Sequence, residues 1–186
     1  MRITGGTARG IPLAAPRGAK LRPTSEKVRN ALFQLVGAVV QDARVLDLYA
    51  GTGALGIEAL SRGAASADFV EQDARLCQVI DQNLERAGFR QSGHVHRARV
   101  EQALQFLEGA YRLALLDPPY GMAGSPEVLV MLSRPGLLED GAIVVLEHSS
   151  RDAVSEQYGS LQMKTRRRYG DTSVSLYTLN SSEEER

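Results

Sequence analysis

The sequence predicts an α/β fold: a mostly parallel sheet with helices on both faces. From Ala43 onward, short apolar runs alternate with segments of helical periodicity. The first of these runs, VLDLY, passes through a glycine-rich loop into a helix. The chain has 186 residues, 43% hydrophobic and 24% charged, which is enough for one domain with its own core and no disulfides. Strands alternating with helices imply βαβ units and right-handed crossovers.

The elements follow in order. Residues 1–22 are rich in Gly and Pro and carry short apolar stretches, so they read as an irregular, β-hairpin-like arm. Thr24 or Ser25 is placed to cap a helix through Val28, Leu32, Phe33 and Leu35, with Pro23 just before the cap. Strands are expected at Arg44–Tyr49, Ala67–Glu71, Val95–Ala98, Leu113–Asp117, Ala142–Glu147 and Val174–Leu179. Helices are expected near 54–62, 74–87, 100–109, 125–133 and 151–158. The main domain then spans 23–180, and SSEEER at 181–186 reads as a frayed tail.

Composition excludes several classes. Cys77 is a single cysteine, so no internal disulfide forms, and no Cys/His spacing fits a metal. The start, MRITGGTARG, has no apolar secretion segment, which makes the cytoplasm the default compartment. No run is long and apolar enough for a membrane span. Nothing reads as a long apolar interface, so a monomer is expected.

The formal net charge is zero, from 22 basic and 22 acidic residues, but it is unevenly spread. Arg2, Arg9, Arg17, Lys20, Arg22, Lys27 and Arg29 against Glu26 make residues 1–29 +6. Residues 30–163 hold 10 basic and 17 acidic side chains, giving −7. Lys164, Arg166, Arg167 and Arg168 form a second basic cluster before the last strand, either a solvated edge or a second contact to a polyanion. Basic flanks around an acidic middle point to a polyanionic partner.

Gly51, Gly53 and Gly56 make G-x-G-x-x-G between a strand and a helix. Small residues there admit a ligand close to the backbone, and the helix start offers free N–H groups. Glu71 ends the next strand, 20 residues after Gly51, where a carboxylate can accept from two ribose hydroxyls. Asp47, four residues before Gly51, decides between nucleoside ligands. It would repel a pyrophosphate but suits the ammonium and sulfonium charges of S-adenosylmethionine. The fourth strand runs into Asp117-Pro118-Pro119-Tyr120. The prolines stiffen the strand end and remove two N–H donors. The Asp117 carboxylate and Pro118 carbonyl can then accept both N–H groups of an amine on a planar ring, with Tyr120 stacked on its face. A nucleobase must leave its stack to enter such a pocket.

Asp47-Leu-Tyr-Ala-Gly51-Thr-Gly53 resembles motif I of the class I methyltransferases, and DPPY resembles their motif IV for amino-group targets. With MRITGGTARGIPL, LRPTSEKVRNALF at 21–33 and DLYAGTGALGIEALSRGA at 47–64, nearly the whole chain resembles the bacterial 16S rRNA (guanine(966)-N(2))-methyltransferase family, the RsmD type. The resemblance implies a Rossmann-like, seven-stranded, mostly parallel sheet. It implies methyl transfer from S-adenosylmethionine to the exocyclic N2 of a guanine in 16S ribosomal RNA, within an assembled or partly assembled small subunit. It places Asp47, Tyr49, Gly51, Thr52, Gly53 and Glu71 at the cofactor, with Thr24 and Arg29 reaching its methionine end. It places Asp117, Pro118, Pro119 and Tyr120 at the target amine, and Arg2, Arg9, Arg17, Lys20 and Arg22 on the RNA. Family members carry Asp or Asn at the adenine contact where this chain has Gln102, beside Glu101; Gln102 can substitute through its carbonyl oxygen. Other amines remain as alternatives: adenine N6, cytosine N4 or a protein glutamine. A dinucleotide-dependent oxidoreductase leaves DPPY unexplained, and a non-catalytic assembly factor leaves both motifs unexplained.

Overall fold

A computed structural model of the chain describes residues 1–16, 24–119, 121 and 126–180. Arg17, Lys20, Arg22, Pro23, Tyr120 and the tail 181–186, for which the sequence carries expectations, lie outside the described residues.

The first helix, α1 (Glu26–Val36), starts where Ser25, not Thr24, supplies the cap: Ser25 Oγ accepts from Val28 N at 3.2 Å. Its buried stripe is Val28, Arg29, Leu32, Phe33 and Val36, the expected i, i+4 face with one arginine in it. A 3-10 turn, Gly37–Val40, leads to β1 (Arg44–Leu48). There follow α2 (Ala54–Ser61), β2 (Ser66–Glu71), α3 (Ala74–Ala87), β3 (Gly93–Arg97), α4 (Val100–Phe106), β4 (Tyr111–Leu116) and α5 (Pro126–Leu132). The chain closes with β5 (Leu138–Ser149), β6 (Gln157–Tyr158), β7 (Leu161–Tyr169) and β8 (Thr172–Leu179).

The sheet order is β3-β2-β1-β4-β5-β8-β7-β6. Strands β3 to β5 in that order pair in parallel, and β8, β7 and β6 add antiparallel. β1 and β4 are buried on both faces, which is why they read as continuous apolar runs. One face packs α1, α2 and α3 over Val45, Phe69, Leu113, Leu115, Val145 and Val174. The other packs α4 and α5 over Leu46, Leu48, Val70, Ala114, Leu116 and Tyr177.

Among the described residues the sheet has eight strands where seven were expected, and the expected helix at 151–158 is absent. The segment RDAVSEQY has too few apolar residues to form a helical stripe. Its backbone is held in turns instead, by Asp152 Oδ2 accepting from Ser149 N and Tyr158 Oη accepting from Ser155 N. It ends as the short edge strand β6. β7 was hidden because LQMKTRRRY places four cations on a strand exposed along much of its length.

The described part of the arm is hairpin-like. Ile3 N donates to Ile11 O at 3.0 Å and Leu13 N to Met1 O at 2.9 Å, around a bridge between Arg2 and Pro12. Ile3, Ala8 and Leu13 are buried in the same cluster as α1 and α2. Glu58 of α2 fastens it, accepting from Thr4 N, Thr4 Oγ1 and Gly5 N while paired to Arg29 and Arg62. Among the described residues, no helix is long and apolar enough to cross a membrane.

Candidate active site

The chain turns from β1 outward to β2 and β3, then returns to β4 on the opposite side, so the strand order reverses between β1 and β4. A crevice outside the carboxyl ends of strands is the ligand position in such sheets. A cavity of about 630 Å³ lies there. That is within the roughly 300–1,000 Å³ of small-molecule sites. It is lined by Thr24, by Asp47 to Thr52 apart from Leu48, by Glu71 to Asp73, by Arg99 to Glu101, and by Asp117, Pro118 and Pro119.

The glycine loop is built from beneath by two carboxylates. Asp47 is buried, and its Oδ2 accepts from Gly56 N at 2.8 Å across the loop. A side chain at Gly56 would meet Phe69 at 2.3 Å, so this glycine lets α2 approach β2. Glu71 accepts from Gly51 N with one oxygen and from Asp73 N with the other, both at 2.9 Å. Tyr49, in the cavity wall, sits at φ 59°, a left-handed conformation rare for an aromatic residue and frequent at functional sites. Burial pushes the Asp47 carboxyl well above the ordinary range, and the Asp117 and Glu71 charges push it further, against the Gly56 bond. A cationic ligand beside Asp47 would offset that cost and favour its ionised form.

The second half of the site meets at Thr24. Its Oγ1 lies 3.1 Å from Asp117 Oδ2 and 2.6 Å from Glu147 Oε2. Thr24 lies just before the Ser25 cap of α1, Asp117 just after β4, and Glu147 within β5. Burial raises the Asp117 carboxyl to about 7; the Glu147 charge adds to the rise and the Thr24 bond opposes it. Glu147 escaped sequence reasoning, although its signal was present: it is a carboxylate at the carboxyl end of a strand beside the reversal of strand order.

Other expected residues lie elsewhere. Arg29 does not line the cavity. It is fully buried, paired to Glu58 at 3.1 Å, and donates to the Arg2 carbonyl. Gly53 packs towards Ile80 and Ile57 at the start of α2. Gln102 is exposed and outside the lining, whereas its neighbour Glu101 is in it. Arg2 and Arg9 are exposed on the arm. His96 bonds Asp68 at 2.7 Å, and His148 is buried between Ser175 Oγ and the Ser149 carbonyl, so both serve the fold. Burial also lowers the His148 pKa.

Comparison with known proteins agrees with this geometry. The family model described as conserved hypothetical protein 95 matches residues 1–178. "Ribosomal RNA small subunit methyltransferase D" of Escherichia coli K12 is 34% identical over 184 residues, covering 95% of this chain and 89% of that one. Among solved structures, the E. coli chain yhhF superposes with a TM-score of 0.86 at 29% identity, over 97% of this chain and 98% of that one. A hypothetical protein of Thermus thermophilus gives 0.80 at 31% identity, over 95% and 98%. An RNA methyltransferase from Salinibacter ruber, solved with S-adenosyl-L-homocysteine, shares the fold at TM-score 0.64 and 18% identity, over 88% and 97%. With its sheet order, its glycine loop and its DPP turn at one crevice, the chain belongs to the conserved hypothetical protein 95 family, the RsmD-type class I methyltransferases.

Proposed function

We propose that this cytoplasmic enzyme methylates the exocyclic N2 amine of a guanine in 16S ribosomal RNA of the small subunit, guanine 966 being the target that the family resemblance implies. The observation that carries this is the meeting of two carboxylates, Asp47 buried and Asp117 half-buried, in one cavity at the reversal of strand order. Asp47, Glu71 and the Gly51–Thr52 backbone are the residues to hold S-adenosylmethionine. When bound there, it would supply a methyl group activated by its sulfonium for transfer to the amine nitrogen.

The chain's own residues then have three tasks. Asp117 and the Pro118 carbonyl accept from the amine and fix its direction of approach, since the chemistry asks mainly for alignment. The Asp117 charge stabilises the positive charge that develops on nitrogen and takes its excess proton. Arg2 and Arg9 on the arm contact phosphates, as does the β7 cluster. Arg167 pairs with Val174, and Val174 with Glu147, so one row across the sheet links the basic strand to the site. Two strand spacings, about 10 Å, separate them.

Calorimetry with S-adenosylmethionine and NAD tests the ligand. Tritiated methyl transfer to small subunits lacking the modification, followed by nucleoside analysis, tests the product. N2-methylguanosine is expected. Label in protein, in adenine or in cytosine overturns the assignment.

A further inference from the structure

We infer that one face of β7 holds the RNA beside the target nucleotide: Arg167 takes a phosphate and the Tyr169 ring stacks on a neighbouring base, while Arg166 and Arg168 stand on the opposite face. This rests on the reading that Asp117 receives the amine of an RNA base, and it narrows the contact of the β7 cluster to a single face.

A bulge decides which way each side chain points. Met163 pairs with Tyr177 and Thr165 with Leu176, so two residues of β7 advance past one of β8. The extra residue, Lys164, interrupts the alternation of the strand. Met163 packs on the side of α4 and α5, as Tyr177 does. Beyond the bulge, Thr165, Arg167 and Tyr169 pair with Leu176, Val174 and Thr172. Leu176 and Val174 are buried on the side of α1, α2 and α3, and Tyr169 packs against the same cluster. Arg166 pairs with Ser175, and its Nη2 donates to the carbonyl of Val154, which packs on the side of α4 and α5. Arg168, next but one, shares that side. Had the alternation run on unbroken, Arg167 would share the side of Met163.

The face that the bulge gives to Arg167 is the face of the site. Asp117 and Glu147 both reach Thr24 at the start of α1. Asp117 follows Leu116, whose partner Leu146 precedes Glu147, and Glu147 pairs with Val174, which pairs with Arg167. One row thus crosses four strands from the amine acceptor to Arg167, over three strand spacings or about 14 Å. Tyr169 lies at the ligand end of the sheet, since it pairs with Thr172, and Thr172 with Ser149 at the carboxyl end of β5. A base that leaves its stack to enter the cavity keeps its sugar and phosphates outside, beside this row.

The chemistry of the face fits that strand of RNA. Arg167 is exposed, and its Nη1 donates to the Arg166 carbonyl at 3.5 Å. Among the described residues, none of Lys164, Arg166, Arg167 and Arg168 pairs with a carboxylate. One acid, Asp171, follows in the turn. Cations without counter-ions suit a polyanion. Tyr169 is half-buried, so its ring is anchored on the core and keeps an open part. Unstacked RNA bases are held by stacking on such aromatic rings, with a cation beside them for the backbone.

The test is binding of the full chain to small subunits lacking the modification, over a salt titration. Arg167→Gln should make the log–log slope shallower by about 0.7, as for one phosphate of a single strand, and Arg166→Gln and Arg168→Gln by less than half as much. Tyr169→Leu should weaken binding by about tenfold at fixed salt while the slope stays that of wild type, and Tyr169→Phe should bind as wild type does. S-adenosylmethionine affinity, measured on each variant, reports that the fold is intact. Equal slope changes in the three arginine variants, or no change in Arg167→Gln, overturn the assignment of the face. Tyr169→Leu binding as tightly as wild type, or Tyr169→Phe as weakly as Tyr169→Leu, overturns the stack. Should Tyr169→Leu lose its fold, the arginine variants, all at exposed positions, still decide the face. Wild-type enzyme that makes no N2-methylguanosine overturns the earlier reading instead.

Discussion

Glu58→Gln is expected to loosen the arm without touching the cavity. Glu58 and Arg29 form an ion pair whose side chains are both fully buried. The Glu58 carboxylate also accepts from Thr4 N, Thr4 Oγ1, Gly5 N and Arg62 Nε, all between 2.7 and 3.2 Å. Glutamine keeps the volume, so no cavity opens. It replaces one acceptor oxygen with an NH₂ that faces donors, and it leaves the Arg29 charge buried without a counter-ion. Breaking one side of such a pair costs about 3–5 kcal/mol. For a chain of this length each kcal/mol lowers Tm by about 2–4 °C, so Tm should fall by roughly 10 °C. Amide exchange should accelerate at Thr4, Gly5 and Ala8, whose N–H groups end on Glu58 and Ser61. Arg29→Met added to Glu58→Gln should recover part of the loss, since it removes the stranded charge. A Tm within about 3 °C of wild type, with protection unchanged, would refute the claim that this buried pair fastens the arm.

Three further outcomes are expected. Asp117→Ala should lower the methyl-transfer rate by about 10²-fold or more while S-adenosylmethionine affinity stays near wild type; a wild-type rate counts against Asp117 as the amine acceptor. Replacing Arg2 and Arg9 together by Ala should weaken RNA binding and make its log–log salt slope shallower by about 1.5; an unchanged slope removes the arm from the interface. Tyr111→Phe should destabilise by about 1–2 kcal/mol at neutral pH. Burial raises the Asp68 carboxyl, but bonds from His96 and Tyr111 and the Arg44 charge outweigh it and hold it below its ordinary value. Its contribution is therefore present above the unfolded carboxyl range and is lost as pH falls through the folded value. Denaturation across acid pH should show Tyr111→Phe converging on wild type.

Much of the fold was legible because β1, β2 and β4 are buried on both faces and so are written as apolar runs. α3 is readable at 74–87 because Asp73 caps it and Gly88 ends it at φ 81°. The carboxyl side was harder. β7 pairs on both edges, but its side chains are largely exposed, so backbone bonding holds it where hydropathy gave no sign. Asp47, Glu71 and Asp117 were visible because they sit at fixed distances from glycines and prolines. Glu147 and the Thr24 bridge were not, because 123 residues separate the partners. Arg29, which the resemblance alone placed at the methionine end of the cofactor, lies outside the cavity lining and pairs with Glu58, 29 residues away.

The short helix α2 has a consequence for how this chain can vary. Its first turn closes the glycine loop, and its last turn holds the arm through Glu58 and Ser61. Seven of its eight residues are buried. A change that displaces α2 as a body is felt on both sides at once, whereas the side chains of Arg2 and Arg9 stand exposed on the arm. Descendants of this sequence can therefore redraw the exposed charges of the arm freely while the helix beneath stays fixed, which separates the tuning of the proposed RNA contact from the upkeep of the glycine loop.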